Sequence, residues 1–96
     1  MELLSLEHFA GCINEGFSAT LGGMDIPFVL VDARPIPNAA RNPLRAPFSL
    51  LFRNASAFLF PQQTYAMRHP RVGDVGIFLV PIARDRDGFL YQALFN

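Results

Sequence analysis

Apolar residues recur at helical spacing over the first fifteen positions and alternate with polar ones through most of the chain after that. Leu6, Phe9, Ala10 and Ile13 fall on one helical face, Ser5 is placed as an N-cap, and Glu7 puts an anion in the first turn, where the helix dipole favours it. Gly16 is the expected stop, so the pattern predicts one short amphipathic helix over about 5–15.

The period then changes to two. Phe17, Ala19 and Leu21 alternate with Ser18 and Thr20, Gly22-Gly23 signals a turn, and IPFVLVDAR (26–34) follows. Phe28 to Val31 is apolar on both faces, which predicts a central strand with Pro27 near its start. Four prolines between Pro35 and Pro47 mark an irregular, exposed loop. RAPFSLLFR (45–53) reads as a strand with Phe48, Leu50 and Phe52 turned to the core. Asn54 to Gln63 is a connection with Phe58 and Phe60 as inward anchors. Thr64 to His69 is a short strand ended by Pro70. VGIFLVPIAR (75–84) is again apolar on both faces, hence central, with Pro81 at a bulge or an edge exit. Asp87-Gly88 is a strong hairpin signal and returns FLYQALFN (89–96) antiparallel. The expectation is a single α+β, mainly β domain over 1–96. One N-terminal helix accompanies a strongly bent antiparallel sheet or partly closed barrel of about six strands.

Composition adds a surface argument. Apolar residues make up 51% and charged residues 17%, the latter below the usual level of about 25%. Such a surface needs a partner to cover part of it. If the core lies on the phenylalanine side of 48–52 and 89–95, then Leu51, Leu90 and Leu94 stand outward as a patch. The last strand, with no Lys or Pro to blunt it, adds a pairing edge.

The formal net charge of zero conceals a division. No acid lies between Ala33 and Gly73, where Arg34, Arg41, Arg45, Arg53, Arg68 and Arg71 fall; all eight acids are in the flanks with Arg84 and Arg86. Pairing of these arginines with the acidic flanks is the first reading. Contact with a partner through Arg41, Arg45 and Arg53 is a second. The alternative function is a small-barrel binder of single-stranded nucleic acid or another polyanion, with Phe48, Phe52, Phe58, Phe60 and Tyr65 as stacking platforms.

Candidate chemistry is sparse. A single cysteine, Cys12, excludes an internal disulfide and any multi-cysteine metal site. His8 and Cys12, four apart, share a helix flank and frame a hydrolase rival. Asp85-Arg86-Asp87-Gly88 imitates the start of a calcium loop without its remaining ligands. His69 before Pro70 reads as a turn histidine, and Asn54-Ala55-Ser56 matches a glycosylation sequon. No phosphate loop, paired carboxylates or nucleophile elbow occurs. The expectations are no enzyme activity, no cofactor and no metal. With no basic n-region and no run of about 20 apolar residues, the chain reads as soluble and cytoplasmic.

LSLEHF, RAPFSLLFR, PQQTY, HPRVG, FLVPI and DGFLYQALFN, in that order, resemble a family of small uncharacterised bacterial proteins. That family is a domain of unknown function often encoded beside phage-tail-collar (microcystin-dependent-protein-like) proteins. The resemblance implies a structural or accessory role near tail-fibre-like assemblies and assigns no site residues. The reading is therefore a non-enzymatic interaction domain whose partner is another protein or a second copy.

Overall fold

The computed structural model describes residues 4–37 and 46–95. Helix α1 (Leu6–Ala10) precedes strands β1 (Gly16–Leu21), β2 (Met24–Pro35), β3 (Phe48–Asn54), β4 (Gln63–His69), β5 (Gly73–Asp85) and β6 (Gly88–Phe95). Neighbours pair antiparallel in the order β1-β2-β3-β6-β5-β4, and β4 returns to β1 through Ser18↔Arg68 and Thr20↔Ala66 to close a barrel. The partly closed barrel expected from the pattern is fully closed.

Closure gives every strand one inward and one outward face. The inward set is Phe17 and Ala19 on β1, Ile26, Phe28 and Leu30 on β2, and Phe48, Leu50 and Phe52 on β3. Tyr65 and Met67 on β4, Ile77 and Leu79 on β5, and Tyr91 and Ala93 on β6 complete it, and all are buried. Rings fill the bore: Phe28 meets Phe52, Phe60, Tyr65 and Tyr91 at centroid distances of 5.3–6.5 Å. The Tyr91 hydroxyl accepts the Phe60 N–H at 3.0 Å, which satisfies a buried backbone donor where the 54–62 connection crosses the opening.

Strand directions sort the connections into two ends. The 21–24, 54–63 and 85–88 connections share one end. Helix α1, the 69–73 turn and the Phe48↔Phe95 pair share the other. At that helix end Phe9 packs on Phe17, Phe48 and Phe95 at 5.8–6.2 Å. The helix is half as long as its spacing predicts. It stops at Ala10 with Gly11 as C-cap, because the following residues bond to β2 instead. Asn14, at φ 71, donates to Leu30 O at 2.6 Å, and Glu15 O accepts from Leu30 N at 3.0 Å. Ile13 is consequently 36% exposed, off the helical face it was assigned.

Three further expectations are corrected. The doubly apolar strands are not covered on both sides: Val29 is 36%, Phe78 49% and Ile82 49% exposed, since a barrel has only one interior. Strand β6 offers no edge, being paired with β3 on one side and β5 on the other. Phe58 is no inward anchor; it is 60% exposed and rests edge-on against Phe60 at 4.9 Å. Pro81 does sit at a bulge, where the register shifts between Pro81 and Ala83 and leaves Ile82 unpaired. No helix among the described residues is long and apolar enough to cross a membrane.

Gly88 closes the last hairpin at φ 132, and a Cβ there would lie 2.1 Å from Asn54 O. Gly88→Ala therefore loses about 3 kcal/mol or more in denaturant unfolding. Gly76→Ala, whose Cβ would meet only Thr64 Cγ2 at 3.4 Å, changes stability far less. Equal losses in the two variants would contradict the packing of the hairpin against β3.

Candidate functional site: an apolar wall and a charged latch

On the outer faces of β3, β6 and β5 the register sets Ser49 beside Leu94, Leu51 beside Gln92, and Arg53 beside Leu90. Gln92 also pairs with Val80, and Leu90 with Ala83. Leu94 is 57% exposed and joins the outward Phe78 and Ile82. Leu51, Val80 and Leu90 are half-buried between them. The result is a mixed wall across three adjacent strands, in which Leu51, Val80, Ile82, Leu90 and Leu94 are interrupted by Ser49, Arg53 and Gln92. A shallow groove of about 310 Å³ runs through it, lined by Asp32, Arg34, Ser49, Leu51, Ile82 and Gln92 among others. Of the residues singled out from sequence, Leu51, Leu90, Leu94 and Arg53 share this face. Arg41 and Arg45 lie outside the described residues. Phe78 and Ile82 were missed because their strand was read as buried on both sides. A second apolar groove, lined by Leu21, Met24, Ile26, Ser56, Phe58 and Phe60, occupies the opposite end from the helix.

The described arginines of the 34–71 segment are counter-charges. Arg34 pairs with Asp32, Arg53 with Asp85 at 2.9 Å, Arg68 with Asp25 at 2.8 Å, and Arg71 with Glu15 at 2.6 Å. Each described arginine of the 34–71 segment thus meets an acid from a flank. Arg53 and the Asp87 N–H hold the Asp85 carboxyl below the usual range, tying β3 to the β5–β6 hairpin. Arg53 Nε is itself buried with no hydrogen-bond partner among the described residues. Arg84 stacks over Phe89 at 5.6 Å.

At the helix end, Cys12, Glu15 and His69 bring donor atoms within 4.8 Å of one another, a spacing that a zinc site uses. The hydrogen bonds argue against a metal. His69 Nδ1 accepts the N–H of Arg71 at 3.0 Å and of Val72 at 3.3 Å, so the ring proton sits on Nε2. From there it is donated to Glu15 Oε1 at 2.7 Å. Neither ring nitrogen has a lone pair to spare. Arg71 Nη2 reaches the same Glu15 oxygen, Gly11 O at 3.2 Å and Cys12 Sγ at 3.6 Å, so a cation already engages two of the three candidate ligands. The group is a latch that fastens the 11–15 segment to the β4–β5 turn. The proposed His8–Cys12 pairing does not form. His8 Nδ1 accepts the Ser5 N–H at 2.9 Å, and Cys12 Sγ faces the His8 carbonyl at 3.9 Å. The sequon residue Asn54 is buried, donating to Pro27 O at 2.7 Å and accepting from Ser56 N at 2.8 Å.

Arg71, then His69, hold the Glu15 carboxyl below its ordinary value of 4.5. A depressed folded-state value contributes stability that is present above about pH 4.5 and lost as pH falls through the folded value. Thermal melts across pH 7 to 2 therefore show an acid loss of stability that Glu15→Gln flattens, starting from a lower melting temperature at pH 7. Parallel curves for the two proteins would contradict the latch. Arg53→Glu sets two acids together and lowers the melting temperature by about 5 °C or more; an unchanged melt would contradict the counter-charge role.

No curated protein and no solved structure matches the chain. Its sequence pattern nonetheless places it: over residues 4–95 the chain belongs to the family described as Domain of unknown function (DUF6916).

Proposed function

We propose that this barrel is a protein-interaction domain with no catalytic chemistry of its own, and that its contact surface is the β3–β6–β5 wall. The observation that carries the reading is the joint exposure of Phe78, Ile82 and Leu94 on neighbouring strands. Leaving such surface in water costs about 25 cal/mol per Å², and a partner that covers it recovers that energy. Binding of a polyanion has less support, because Arg53, Arg68 and Arg71, which would meet phosphates, already bond to carboxylates. The first protein to test is a tail-collar-type protein, following the neighbourhood that the sequence resemblance implies; the role is then that of an accessory to a tail-like assembly.

Immobilised protein is expected to retain such a partner, and Ile82→Glu and Leu94→Glu to abolish retention without shifting the melting temperature. Retention unaffected by either substitution would overturn the wall as the contact surface.

A further inference from the structure

We infer that the occupant of the wall is a second copy of this chain, related by a two-fold axis, with Leu94 of each copy seated in the groove of the other. The inference rests on the contact reading above and names its partner. Leu94 stands directly beside Ser49, one of the groove's lining residues. Knob and hole are therefore neighbours on one face. A face that carries both is self-complementary, which is what an isologous contact requires.

The polar groups of the groove agree. Its rim carries one carboxylate and one guanidinium, Asp32 and Arg34, rather than charge of a single sign. Their side chains are 36% and 74% exposed, so the outer fork of Arg34 is open to a second carboxylate. A two-fold axis sets Arg34 of each copy toward Asp32 of the other, in an alternating group of four. A rim of one sign would have selected a partner of the opposite sign; this one selects its own likeness. Gln92, between Leu51 and Val80, presents both a donor and an acceptor, and so also matches itself. The chain carries no net charge, so copies approach without long-range repulsion.

Size bounds the contact. Three strands about 4.8 Å apart, each contributing about five residues at roughly 3.3 Å, make a wall of a few hundred Å² at most. That falls short of the roughly 800 Å² per partner of a standard interface. A dimer of that size is weak and reversible, so its test must reach high protein concentration.

Sedimentation equilibrium of the whole chain between about 5 and 500 μM covers the range of weak association. The expected result is a monomer–dimer equilibrium that Leu94→Glu weakens at least about tenfold, with an unchanged circular dichroism spectrum. Arg34→Asp and Asp32→Arg each weaken self-association alone, and an equimolar mixture of the two restores a dimer. Leu94→Gln serves if the glutamate variant does not fold. A wild-type chain that stays monomeric throughout, a dimer indifferent to both Leu94 variants, or a mixture that remains monomeric would overturn the two-fold contact. A monomeric wild type removes only the second copy as occupant; the contact reading itself falls when wall variants still retain a protein partner.

Discussion

Closure of the sheet, with one ring-filled interior, is the constraint from which the rest of this protein follows. Six strands enclose a bore too narrow for anything but side chains, and here Phe28 stands among four other rings that occupy it. Once the bore is full, no further apolar residue can be taken in. Strands apolar on both faces must then show one of those faces to the outside. The wall of Phe78, Ile82 and Leu94 is the direct result, and closure also removes the unpaired edges through which such chains otherwise associate. Strand pairing through β6 is thereby closed off, since both its sides are already paired.

The same closure explains where sequence reasoning succeeded and where it stopped. Strand boundaries were legible because Gly22-Gly23, the proline-rich 35–47 segment, Pro70 and Asp87-Gly88 each interrupt an alternating run. The inward choice of Phe48, Leu50 and Phe52 followed from the same alternation. For β5, in contrast, Phe78 and Leu79 are equally apolar, so alternation alone could not say which faced water. That distinction comes from the pairing of β5 with β4 and β6. The end of the helix was illegible for a related reason. Helical spacing continues to Ile13, but the Leu30 backbone groups lacked partners, and the 14–15 segment supplies them.

Charge was legible as a segregation and not as a set of pairs. An acid-free stretch with acidic flanks implied counter-charging, and the four described pairs join the arginine segment to those flanks. Sequence could not show that Glu15, His69, Arg71 and Cys12 meet, because 54 positions separate Glu15 from His69. It also could not show that two backbone N–H groups fix the His69 tautomer. That detail turns a cluster with metal-ligand spacing into a latch that fastens the 11–15 segment to the β4–β5 turn.

A contact through the wall requires it to be open to water in one molecule and covered when molecules meet. Methyl NMR with a soluble paramagnetic agent reads both states. In dilute solution the account predicts strong broadening of the Ile82 and Leu94 methyls and none of Leu50 or Leu79. In concentrated solution Ile82 and Leu94 become protected while the exposed Met24 methyl stays broadened. Protection of Ile82 and Leu94 already at low concentration, or their continued broadening at the highest, would contradict it.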